Sequence, residues 1–182
     1  MAETAKATSG HGIPKLGLIV GQGVLFARLF TQGGEQQALT EAPASLPSKS
    51  NDWLWAHLDL VDRRSGAWLS LVGVTPDLCK FLLGDDVRQM ADYEGKIIFG
   101  TIAEPDEDTQ HYISRHGLLR FLATERWIIT GRFNPLNCVE ALNVRIERGE
   151  ALTSPIDILV KLMMAFHHQL QDEAGKMLHS ID

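Results

Sequence analysis

Two places in the chain hold side chains whose type and spacing could do chemistry. In WAHLDL, His57 and Asp59 stand two apart. On a strand they share a face, as an imidazole base and its orienting carboxylate would. A hydrolase also needs a nucleophile and an oxyanion site nearby, and no G-x-S-x-G elbow or similar motif occurs. The plainer reading lets Asp59 and Asp62 organise the strand-to-helix turn and packs His57 under a helix. The second place is the C-terminal run HHQLQDEAGKMLHSID, with His167, His168, Asp172 and His179. His168 and Asp172 have i, i+4 spacing, so both could touch one ion from one helix face. Two ligands do not close a zinc site; an oligomer would have to supply the rest around an axis. The plainer reading is a solvated polar face. Glu-x-x-His spacing is absent from this run, against a di-iron bundle.

Other candidates are weaker. The acidic run Asp106-Glu107-Asp108 lacks the spacing and glycine of a calcium loop and reads as a solvated hairpin tip. Asp85-Asp86 reads as a helix exit. GQG and QGG are turn glycines, and neither GxGxxG nor GxxxxGK[ST] links a strand to a helix. Met163-Met164 and Phe166 read as core packing. Cys79 and Cys138 form no CxxC, which argues against a disulfide framework or cysteine zinc site and suits a reducing compartment. Net charge is −6, and nothing resembles a phosphate-binding surface, so nucleic acid is excluded as the expected partner.

The elements that must position these residues follow from periodicity. At 182 residues with 45% apolar content, the chain suits one compact domain, or one domain plus an extension. Residues 1–17 are small and polar, a loose tail without a secretory h-region. GVLFARLFT predicts a strand with Val24, Phe26 and Arg28 on one face. EQQAL predicts an edge strand, and WLWAHLDL the clearest strand. Asp62 caps a short helix, and Thr75-Pro76 starts another that stops near Gly84. From Arg88 to Phe133 the pattern predicts an antiparallel meander, with a hairpin at Glu94-Gly95. The period then lengthens to about 3.6. A helix is expected to start at Asn134-Pro135 and end at Gly149.

The last helix starts at Ser154-Pro155, with Asp157 at capping-box spacing. Unbroken to Asp182 it would be a rod of roughly 40 Å. Leu159, Met163, Phe166, Leu170, Ala174, Met177 and Ile181 recur every three or four residues, a nearly straight stripe. The first half is apolar almost all round and is expected to be buried. The second keeps one stripe and is expected to project toward a partner. No stretch approaches the roughly 20 apolar residues that span a bilayer, and no repeat recurs at a fixed period.

In this order the pieces resemble the N-terminal cytoplasmic domain of the CorA metal-ion transporters, above all the ZntB-like branch associated with zinc. Trp55, His57, Leu58 and Asp59 resemble the family's Trp-x-His-Leu-Asp strand. TPDLCKFLLGDDVRQMADYEGKIIFGTI resembles the helix, turn and hairpin that follow. In that turn Asp86 and Arg88 match, while Val87 and Gln89 replace the common Thr and Pro. LLRFLATERWIITGRFNPL resembles the strand pair ending in an Arg, here Arg132. LNCVEALNVRIERGEALTSPIDILVKLM resembles the helix, link and start of the stalk. The likeness runs from about Gly23 to the end of the chain. Two departures stand out. The family's Gly-x-Asn motif after its first membrane helix is not in this chain. Lys80-Phe81 occupy positions where the magnesium branch has an acidic pair that includes a sensing-site Asp, which favours the ZntB-like branch or a divergent member.

The expected fold is therefore a three-layer α/β domain over 18–153. Its mixed, largely antiparallel sheet has about six to seven strands covered by helices, and a stalk helix follows over 154–182. The resemblance implies a homopentameric funnel on the cytoplasmic face of the inner or plasma membrane, below a pore outside this chain. It implies divalent cations, zinc or magnesium, as cargo and no required cofactor; by their own spacing His168 and Asp172 are expected to touch metal only in an oligomer. On this view the domain is not an enzyme, and the last helix was heading for a membrane. The rivals are a freestanding interaction or regulatory module of the same fold, and a small α/β enzyme using His57 and Asp59.

Overall fold

The computed structural model describes residues 21–32, 34–48, 51–103 and 117–179. The N-terminal tail and the acidic run at 106–108 lie outside them. The strands are β1 (Val24–Phe30), β2 (Gln36–Ala38), β3 (Trp53–Asp59), β4 (Met90–Glu94), β5 (Ile97–Ala103), β6 (Leu118–Ala123) and β7 (Trp127–Arg132). The helices are α1 (Arg63–Leu71), α2 (Pro76–Leu83), α3 (Asn137–Glu147) and α4 (Pro155–His179). One sheet runs in the order β2-β1-β3-β7-β6-β5-β4. Among the described residues only the pair β3 and β7 is parallel; the other pairings are antiparallel. This is the expected mixed sheet, with the meander β4 to β7 intact.

Alternation on β3 builds two cores. Trp53 and Trp55 enter one with Phe30, Leu119, Phe121 and Ile128, covered by α3 and α4. Leu54, Ala56 and Leu58 enter the other with Leu122 and Ile129, covered by α1 and α2. The three layers follow from a strand apolar on both faces. Each large side chain buried this way contributes about 1.5–3 kcal/mol.

The expected face of β1 needs correction. A bulge between Val24 and Phe26 breaks the period, so Val24 joins Ala27 in the α1–α2 core, whereas Phe26 packs on the other side. The start of α3 also moves. The helix begins at Asn137 rather than Pro135; the residue before it, Leu136, is fully buried and gives no side-chain cap. A buried anchor sets this entry where a polar cap was expected. The exit is as read: Gly149 takes φ 98°, which a β-carbon would strain. Asp62 accepts from Arg64 N at 2.9 Å to cap α1, and Thr75 Oγ1 accepts from Leu78 N at 3.4 Å to cap α2.

Candidate functional site

The first sequence candidate is structural in its contacts. His57 is 2% exposed, and its Nδ1 shares a 2.8 Å hydrogen bond with Thr130 Oγ1, which also accepts from Trp55 Nε1 at 2.9 Å. The imidazole stacks on Phe26, and Nε2 is buried without a hydrogen-bond partner among the described residues. Burial first, then the Arg132 charge, drives its pKa from 6.5 to about 3, against the opposing hydrogen bond to Thr130. The ring is thus neutral at any physiological pH. Asp59 accepts from Val61 N at 3.0 Å, so its carboxylate holds the turn rather than orienting an imidazole.

Two arginines that sequence reasoning passed over organise the layers. Arg120 on β6 is 1% exposed and reaches the end of α2. Its Nη1 donates to the carbonyls of Phe81 (2.7 Å), Leu82 (2.9 Å) and Gly84 (2.7 Å), and Nη2 to Asp86 O (2.5 Å). Phe81 and Phe133 lie against the guanidinium. It therefore satisfies carbonyls that a helix end leaves open and fixes the turn that follows. In that turn Asp86 takes a fork from Arg88 (2.6–3.1 Å). The fork holds the Asp86 pKa down at about 2. On the opposite face Arg28, also buried, donates from Nε to Asn143 (2.6 Å), Nη1 to Gln36 (2.7 Å) and Nη2 to Glu147 (2.5 Å). The available signal was a lone cation inside VLFARLF and LLRFLA, runs apolar on both faces.

The region with functional promise is α4 and its root. Asp157 Oδ2 accepts from Thr153 N (2.7 Å), Thr153 Oγ1 (2.8 Å) and Ser154 N (3.2 Å), the return half of the expected capping box. These bonds hold the Asp157 pKa down although desolvation, the largest single influence, pushes it up. Glu150, in the link from α3, bonds Arg145 on α3 at 2.6 and 3.1 Å and Lys161 on α4 at 2.5 Å. Hydrogen bonds from both cations lower its pKa, Arg145 first. One carboxylate thus clasps the two helices that cover this face.

Along α4, Ile158, Leu159, Leu162 and Phe166 are buried against the sheet. The expectation that the first half is buried all round is overturned. Ile156, Val160, Met163 and Met164 are 44–55% exposed. A sheet covers only one side of a helix lying on it, and α3 occupies the neighbouring flank. Met163 and Met164 are therefore not core residues. The expected stripe mixes two faces, since Leu159 and Phe166 face the core while Met163 and Leu170 are open. His168 and Asp172 are both exposed on α4. The side chain of His179 lies outside the described residues. Among the described residues no three His, Cys, Asp or Glu gather into a metal-holding group, and no helix is long and apolar enough to cross a membrane.

The model of the "CorA-like Mg2+ transporter protein" family matches residues 50–182. The chain belongs to that family. Its fold is that of full-length CmaX (TM-score 0.77, 19% identity, 88% of this chain and 50% of that one). It is also that of the ZntB cytoplasmic domain from Vibrio parahaemolyticus RIMD 2210633 (0.70, 12%, 86% and 65%). The CorA magnesium transporter from Methanocaldococcus jannaschii shares it at 0.59 and 10%, over 85% of this chain and 50% of that one. The chain thus spans about half the length of these two full-length neighbours. No curated protein sequence matches it.

Proposed function

We propose that this domain is the cytoplasmic funnel of a CorA/ZntB-like divalent cation transporter. Its α4 is the start of a stalk that leads from the sheet toward a pore outside this chain. The observation that carries the reading is the split on α4: one face is buried in the domain while an apolar second face stays open. A helix of this family built that way has a second body to meet. Five copies around an axis would place these faces against each other. The likeness to the ZntB domain and the absence of acid at Lys80-Phe81 support the zinc-associated branch, with zinc or magnesium as cargo. A net charge of −6 raises the local concentration of any cation and so supports gathering without selecting. The Glu150 clasp gives the domain a way to relay metal occupancy through the angle of α4. In the assembly His168 and Asp172 from neighbouring copies would touch passing ions. On this reading the domain does no catalysis and lies at the cytoplasmic face of the inner or plasma membrane.

The test is the native gene product, read past Asp182 and weighed from source membranes. Two apolar spans joined through Gly-x-Asn, in a membrane-extracted oligomer, are expected. A native chain that ends at Asp182 and fractionates with soluble proteins overturns the reading in favour of a freestanding module.

A further inference from the structure

The open side of α4 carries two thioethers and two imidazoles at helical spacing. In MMAFHH two methionines are each followed four residues later by a histidine: Met163 by His167, Met164 by His168. On a helix such pairs are neighbours, with β-carbons roughly 5–6 Å apart. Each thioether can therefore meet its imidazole across a single ion. All four side chains are exposed, Met163 at 53% and Met164 at 55%. The His167 and His168 ring centroids are 6.3 Å apart. Together with Val160 they line one open depression of about 320 Å³.

We propose that this depression binds a soft monovalent cation of the Cu(I) or Ag(I) class through thioether sulfur and imidazole nitrogen. Thioethers are neutral and polarisable; they select soft ions and hold hydrated magnesium poorly. The depression contains no carboxylate, and Asp172 is not among its walls. A divalent ion in this open depression keeps its full charge with no carboxylate to offset it, so its own water shell competes with the neutral donors. A monovalent closed-shell ion carries half that charge and is satisfied by a few neutral donors. Binding through Met164 takes His168 away from any pairing with Asp172. The proposal rests on α4 alone and applies to a chain whose open α4 face no neighbouring copy covers.

The test is methyl NMR on the chain labelled at its methionine methyls, titrated with silver nitrate in chloride-free buffer and, separately, with Zn(II). Cys79 is replaced by Ser, because a half-buried thiol would compete for silver. The Met163 and Met164 methyls, assigned by Met163→Leu and Met164→Leu, are expected to move with Ag(I) and stay still with Zn(II). Met90 on β4 is the internal control. The double Met→Leu variant, which alters only exposed side chains, is expected to lose most Ag(I) binding measured by titration calorimetry, with an unchanged circular dichroism spectrum. His167→Phe together with His168→Phe is expected to do the same. Methyls unmoved by Ag(I), or shifts that survive loss of both histidines, overturn the proposal. Methyls silent to Ag(I) while Zn(II) moves the His168 ring signals of a nitrogen-15-labelled sample overturn it in favour of the His168–Asp172 pair.

Discussion

On one face of the sheet Arg120 donates to four backbone carbonyls around the end of α2. On the other, Arg28 donates to three side chains on β2 and α3. The first arginine replaces the hydrogen bonds of a helix that stops inside the protein, and the short helices α1 and α2 then close their face. The second ties an edge to a helix whose carboxylate, Glu147, is still half in water. Next to it α4 is only half used. Its side away from the sheet leaves Ile156, Val160, Met163 and Met164 exposed.

The sharpest way to break this contrast is Arg120→Met, expected to cost about 4 kcal/mol because it strands carbonyls at a buried helix end. Urea unfolding followed by circular dichroism measures it. Arg120→Lys is expected to recover only part, since an ammonium lacks the planar fork. Phe166→Ala, on the packed side of α4, is expected to cost about 3 kcal/mol in the same assay through the cavity it leaves. Arg28→Met is expected to cost about 1–2 kcal/mol, because its acceptors can turn to water. An Arg28 cost above the Arg120 cost would invert the comparison.

His57 gives a pH test of the sealed interior. Its folded pKa, about 3, lies below the ordinary 6.5, so the unfolded chain takes up the proton first. The stability this neutral ring permits is fully present above pH 6.5 and falls as pH drops toward 3, by about 1.4 kcal/mol per pH unit. Urea midpoints of His57→Leu between pH 6.5 and 4 are expected to lack that slope. The smallest effect is expected on the open side of α4. Met163→Ala is expected to change stability by no more than about 0.5 kcal/mol, and a loss as large as that of Phe166→Ala would show the face is not open.

Much of this was legible in the sequence. WLWAHLDL read as the clearest strand, and it lies inside the sheet between β1 and β7. Thr75-Pro76 and Gly149 marked helix ends because capping chemistry is local. What stayed hidden was set by contacts distant in sequence. The β1 bulge moves Val24 to the other core, and pattern alone cannot place an extra residue. Arg120 and the α2 carbonyls are more than thirty residues apart. Met163 and Met164 looked like core because a helix apolar all round carries no sign of how much of it the sheet will cover. The His57–Asp59 pairing failed for the same reason, since Thr130 on β7 claims the imidazole.

The central claim is that the unfinished face belongs to a cation pathway. Its most direct test is metal flux through the native full-length protein in liposomes loaded with a zinc-sensitive dye, repeated with a magnesium dye. The account predicts uptake of at least one of the two ions above that of empty liposomes. No uptake of either by a folded, membrane-inserted oligomer would contradict it.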